Sequence, residues 1–159
     1  MKQITEQEAY LRLAALCAQA EHCQYEMQEK MHRWELSEAA QAKVMQRLVK
    51  ERYVDDERYA RAFVKDKVRY NKWGRRKVEQ ALWAKHIDED IRQRVLDEVD
   101  DEEYIAVLRP LLQQKRKSTK ANSDYELNGK LIKFAMGRGF TMDIIRQCIN
   151  VTDEDEFLD

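Results

Sequence analysis

One proline and four glycines in 159 residues leave too few chain reversals for an all-β fold, which needs turn residues at short intervals. Long apolar runs are missing as well. No stretch approaches the roughly 18 apolar residues of a membrane span, and the opening MKQITEQEAYLRL holds no apolar signal segment. An untargeted cytoplasmic protein with no membrane partner is therefore expected. The three cysteines, Cys17, Cys23 and Cys148, are odd in number and show no CxxC spacing, which fits a reducing compartment. His22, His32 and His86 are scattered, and GxSxG, HExxH, Walker A and GxGxxG patterns do not occur. Cys17, His22, Cys23 and His32 lack zinc-ligand spacing. Neither an enzyme nor a metal site is expected, and no residue is read as catalytic.

What the chain does contain is charge, at 37% of residues, mixed with 43% hydrophobic residues in helical rather than alternating periodicity. The class is read as all-α. The net charge of −1 conceals segregation. Residues 65–77 carry seven bases against one acid, Asp66, while residues 97–103 hold six acids in seven and residues 153–159 hold five acids and no base.

Helix starts are signalled by Thr5 with Glu8, Ser37, Asp55, Asp88, Asp100 with Glu103, Ser123 with Glu126, and Thr141. The apolar positions between them recur. Met27, Met31 and Leu36 correspond to Val78, Leu82 and Ile87 at a constant offset of 51 residues, as do Ala40, Val44, Met45 and Leu48 to Ile91, Val95, Leu96 and Val99. Leu131, Ala135 and Phe140 continue the first series, and Thr141 stands 53 residues beyond Asp88. Ala9-Tyr10, Arg58-Tyr59 and Glu103-Tyr104 mark the same point of three successive first helices. The reading is three tandem three-helix repeats, at 5–52, 55–99 and 100–150, with an acidic tail at 151–159, stacked into an elongated and curved array.

The third copy departs from the pattern. Pro110 is expected to kink or end its first helix, and QQKRKSTKANSD reads as a polar, mobile connector. Lys115, Arg116, Lys117 and Lys120 make it a second basic patch. Gly137-Arg138-Gly139-Phe140 supplies a glycine helix end followed by an apolar anchor.

The main basic feature spans residues 58–77. Arg58, Arg61, Lys65, Arg69 and Lys72 follow at steps of three, four, four and three, within roughly 80° of one helix face. Tyr59, Ala60, Phe63, Val64 and Tyr70 form the opposite, docking arc, broken by Lys67. Beyond the turn at Trp73-Gly74, Arg75, Arg76 and Lys77 open the next helix, where cations oppose the macrodipole and free amides offer a seat for phosphate or carboxylate. Such a stripe is either a solvated face or a contact for an anionic partner. Trp73 either anchors the turn in the core or presents an indole for stacking; Trp34 reads as packed and Trp83 as partly exposed. Met27, Met31 and Met45 read as core filler.

The run Tyr53-Val-Asp-Asp-Glu-Arg-Tyr-Ala-Arg-Ala-Phe-Val, followed by Lys72-Trp-Gly-Arg-Arg-Lys-Val-Glu-Gln-Ala-Leu and by Ile87-Asp at a helix start, resembles the bacterial regulatory family RecX. Gly139-Phe140-Thr141-Met142-Asp143-Ile144-Ile145 resembles the family's closing segment. His86 and Glu35 stand where a glycine is common before the third helix of a repeat. The resemblance implies three tandem three-helix repeats, no cofactor, and a role in recombination, DNA repair and the SOS response; a monomer is expected. It implies a negative regulator of the RecA recombinase that binds the groove of the filament on single-stranded DNA and lowers ATP hydrolysis and strand exchange. Arg58, Arg61, Lys65, Arg69, Lys72, Trp73, Arg75, Arg76 and Lys77 are the expected contacts with the filament or its DNA. The alternative is a stand-alone nucleic-acid-binding module of helix-turn-helix type, in which the same residues neutralise phosphates of single- or double-stranded DNA.

Overall fold

The computed structural model describes residues 3–149. Among them it contains only α-helices and turns: α1 (Glu6–Gln19), α2 (Gln24–Arg33), α3 (Glu38–Lys50), α4 (Asp56–Arg69), α5 (Arg75–Ala84), α6 (Glu89–Asp97), α7 (Asp101–Ser118), α8 (Asp124–Gly137) and α9 (Met142–Cys148). The acidic tail and the end of the third repeat lie outside the described residues.

Helix starts fall where a short polar side chain can take an amide that the helix leaves unbonded. Thr5 Oγ1 accepts from Glu8 N, Ser37 Oγ from Ala40 N and Ser123 Oγ from Glu126 N, each at 3.1 Å, and Asp55 Oδ1 accepts from Arg58 N at 3.0 Å. Two expected boxes differ. Asp100 occupies the cap position of α7 without a side-chain bond, and Glu103 N and Tyr104 N reach its backbone carbonyl instead. At α8 the carboxylate of Glu126 turns to Asn122 N rather than to the cap residue.

The repeat is visible in the backbone. Glu35, His86 and Gly139 have φ of 58°, 57° and 96°, and in each case the next residue's amide closes a long helix-end bond, Leu36 to Met31 O, Ile87 to Leu82 O and Phe140 to Ala135 O, all 3.2 Å. The two copies without glycine thus keep the corner. A left-handed non-glycine residue costs about 1–2 kcal/mol, and burying the apolar residue that follows, Ile87 fully and Leu36 in part, offsets it.

The chain forms two compact units. One comprises Met1–Phe63 with Leu82–Gln93, the other Val64–Ala81 with Arg94–Asp159, so α4, α5 and α6 each contribute to both. In the first, α1 and α2 pack on α3 through Ala9, Tyr10, Leu13, Met27, Met31, Val44, Met45 and Leu48. The methionines are core, as their register requires, and Trp34 packs against the cluster beneath the Arg12 guanidinium. Trp83 is 68% exposed. Cys23 is buried, which pushes its thiol up to about 11, and all three cysteines are free.

In the second unit α7 packs on α8 and α9 through Tyr104, Leu108, Leu112, Leu131, Ile132, Phe140, Ile144 and Ile145. Here Pro110 corrects the sequence reading. The helix does not end there but runs on to Ser118, so Lys115, Arg116 and Lys117 belong to its last turn and only Lys120 to the connector. Pro110 lies on the exposed side, where water can serve the carbonyl left without a donor, while Leu108 and Leu112 on the other side are buried and hold both halves down.

Candidate partner-binding surface

The stripe foreseen on α4 divides. At its start, in the first unit, the cations are engaged. Arg58 Nε donates to Glu21 Oε1 at 2.6 Å, and its NH2 group donates to the carbonyls of Arg52 and Tyr53 at 3.1 and 3.2 Å. Arg58 therefore closes the corner before α4. Arg61 pairs with Glu57 one turn back, at 3.1 Å. Nearby, Asp56 accepts from Gln24 N at 2.9 Å, and Lys85 reaches Glu26 at 3.1 Å. Burial works against ionising Glu26, yet Lys85, the Cys23 amide and His22 together hold its carboxyl below the usual range.

Past Phe63 the picture changes. Val64 and Val68 bury the inner side of α4, and Lys65 and Arg69 stand exposed on the outer side. Among the described residues no carboxylate pairs with Lys65, Arg69, Lys72 or Arg76. The expected docking role of Tyr70 is corrected. It follows the last residue of α4 and is 80% exposed, Val68 taking the buried place. Lys72 likewise stands beyond the helix, with φ of 58°, so its direction is set by the turn and not by helical phase.

The turn from Tyr70 to Gly74 is built against the turn between α8 and α9. Gly74 N donates to Arg138 O at 2.8 Å and Arg76 N to Gly139 O at 3.0 Å. The open amide seat expected at the start of α5 is thus partly filled by the chain's own carbonyls, at the point where the negative end of α8 meets the positive end of α5. Arg75 is also spoken for, by Asp97 at 2.7 Å. The approach leaves no room for side chains: a Cβ on Gly74 would lie 2.3 Å from Phe140 N, and one on Gly139 would lie 2.5 Å from Lys77 Cβ.

Trp73 is half-buried between two ammonium groups, Lys67 Nζ at 5.3 Å and Lys77 Nζ at 4.7 Å from the ring centroid. The half-buried ring sits in the turn and gathers positive charge around itself. The second basic patch is drawn in through Phe134. Lys115 Nζ lies 5.0 Å and Arg138 Cζ 5.8 Å from that ring, and Arg138 in turn bonds the carbonyls of Asn71 and Lys72. Lys67 and Arg138 are the cations that the stripe did not include. Lys67 interrupts an apolar arc in sequence, and Arg138 lies more than sixty residues from its partners, so neither carries a local signal. Arg116, Lys117 and Lys120 are exposed beside this cluster in the chain. The arrangement concentrates exposed cations and one half-buried indole on the second unit, a chemistry suited to phosphates or to an acidic protein face.

Family comparison decides the lineage. The model described as "RecX, second three-helix domain" matches residues 55–96, and "RecX, third three-helix domain" matches residues 101–149. The chain belongs to the RecX family. A relative named regulatory protein RecX from Bacillus cytotoxicus is 25% identical over 150 residues, covering 94% of this chain and 56% of its own length. One from Lactobacillus delbrueckii subsp. bulgaricus is 29% identical over 135 residues, covering 82% of this chain and 50% of its own. The chain spans about half the length of the curated relatives it matches. The crystal structure of RecX from Lactobacillus salivarius superposes with a TM-score of 0.82 at 19% identity, covering 90% of this chain and 93% of that one, which supports the all-α RecX fold. These relatives are named as regulators rather than as enzymes. Among the described residues no helix is long and apolar enough to cross a membrane, and no cluster of His, Cys, Asp and Glu is arranged to hold a metal.

Proposed function

We propose that this RecX protein is a negative regulator of the RecA recombinase, binding the groove of the RecA–single-stranded DNA filament and lowering its ATP hydrolysis and strand exchange. Family membership supports RecA as the partner. The observation that supports the location is the set of exposed cations, Lys65, Arg69, Lys72 and Arg76, that have no carboxylate partner among the described residues, around the lysine-flanked Trp73. Lys115, Arg116, Lys117 and Lys120 extend the same charge. In this reading Arg58, Arg61 and Arg75 shape the fold around the surface, because each is already committed to a carboxylate. A chain of three-helix repeats acts as a monomer that follows a filament groove, the repeats at 5–52, 55–99 and 100–150 each supplying one segment.

The test is steady-state ATP hydrolysis by RecA on single-stranded DNA as the protein is titrated in, with binding to naked DNA followed at the same salt. Inhibition well below the concentration that coats free DNA is the expected result. Inhibition only once the DNA is covered would instead point to a stand-alone nucleic-acid-binding module, with affinity falling steeply as salt rises. Lys67 and Lys77 over the Trp73 ring disfavour base stacking there, and so favour the filament reading.

A further inference from the structure

The turn that bears Lys72 and Trp73 is tied to α4 by one backbone bond, from Trp73 N to Lys67 O at 3.1 Å, and otherwise leans on a distant part of the chain. Lys72 holds a left-handed backbone without being glycine, and such a conformation persists only where surrounding contacts impose it. Beyond the bond to Lys67 O, the contacts come from the third repeat. Arg138 Nε donates to Lys72 O at 3.1 Å, its NH2 group donates to Asn71 O, and its own carbonyl accepts from Gly74 N at 2.8 Å. One side chain and its backbone therefore engage residues 71, 72 and 74 together, from a helix end 64 or more positions away. On its other side the guanidinium sits 5.8 Å from the Phe134 ring, which Lys115 also approaches.

We infer that Arg138 is the positioning residue of the RecX binding turn, fixing Lys72 and Trp73 for the partner through paired bonds to the carbonyls of Asn71 and Lys72. This rests on the reading of that turn as the contact surface. The geometry requires arginine. A planar fork can address two successive carbonyls at once, whereas a lysine ammonium is a single point and the amide of glutamine is too short. The third repeat thereby sets the shape of a surface whose cations lie in the second, which gives the α8–α9 turn a binding role without direct contact.

The experiment uses the full chain labelled with 5-fluorotryptophan, whose three tryptophans report separately by fluorine NMR, alongside inhibition of RecA ATP hydrolysis. In Arg138→Lys and in Arg138→Gln the Trp73 resonance is expected to shift or broaden while those of Trp34 and Trp83 stay in place. Both variants are expected to need about fivefold more protein for half-inhibition, corresponding to the loss of a bond or two to a charged donor. Failure of lysine to rescue separates positioning from a direct ionic contact. If Arg138→Lys inhibits like the parent and Trp73 does not move, the inference is overturned. If all three resonances change together, Arg138 merely stabilises the fold and the inference is also overturned. Arg76→Glu serves as control, since Arg76 is exposed in the first turn of α5, just beyond that turn. If it leaves inhibition intact, the surface reading itself fails, whatever Arg138 does to Trp73.

Discussion

At the start of α4, in the first unit, Arg58 and Arg61 face Glu21 and Glu57 at 2.6 and 3.1 Å, whereas further along, in the second, Lys65 and Arg69 have no carboxylate partner among the described residues. Both pairs are cations at helical spacing, three residues apart in the first and four in the second. What differs is that Arg58 meets Glu21 of the α1–α2 connection and Arg61 meets Glu57 one turn back in α4 itself, whereas the second unit has a backbone junction, at Gly74 and Gly139, that consumes amides but no side-chain charge. Charge counted along a helix is therefore not charge available to a partner. The amount left over depends on pairing, which is local for Arg61 and long-range for Arg58.

The sharpest way to break this contrast is at the junction. Gly74→Ala places a Cβ within 2.5 Å of three backbone atoms of Gly139 and Phe140, and should destabilise by about 3 kcal/mol as the two turns are forced apart; the urea midpoint measures it. Next in size, Lys65→Glu with Arg69→Glu should raise the concentration for half-inhibition of RecA about tenfold, or ~1.4 kcal/mol, with an unchanged midpoint. An unchanged inhibition curve would remove α4 from the surface. Arg58→Ala should do the reverse, costing about 1 kcal/mol of stability, because exposed ion pairs contribute little and the bonds to two carbonyls supply the rest, while inhibition by the folded protein is retained.

A titration probes the paired side. The carboxyl of Glu26 is depressed in the folded protein, so the unfolded chain takes up its proton first as pH falls. Its stabilising effect is complete above the ordinary glutamate value of about 4.3 and is lost as pH drops through the lower folded value. Glu26→Gln should flatten that part of the stability–pH profile. The smallest effect is expected at Gly137, where a Cβ meets nothing within 4 Å. Gly137→Ala should stabilise by ~0.5 kcal/mol through the unfolded chain, a direct foil to Gly74→Ala measured in the same urea series.

How much was legible beforehand follows the range of the interaction. Thr5, Ser37, Asp55 and Ser123 cap helices because their side chains reach amides three residues on, and that information is local. Pro110 was misread because its local cost is real but is outweighed by the burial of Leu108 and Leu112 against partners far away in sequence. Tyr70 was misplaced because helical phase was extended one residue past the point where the chain leaves the helix. Lys67 and Arg138 escaped notice because one sits among apolar neighbours and the other acts on carbonyls 66 and 67 residues away.

The sequence by itself determined that this protein is helical, that three-helix units recur at offsets near 51 and 53 residues, and which apolar positions line their cores. Those follow from backbone propensity and from periodic burial, both of which act within a few residues. Only the tertiary structure decided which cations lack a carboxylate among the described residues, that the start of α5 is met by carbonyls of the α8–α9 turn, and that Arg138 links that turn to Lys72 and to Phe134. Pairing of this kind depends on which distant groups folding brings within a few ångströms, and no periodicity encodes it.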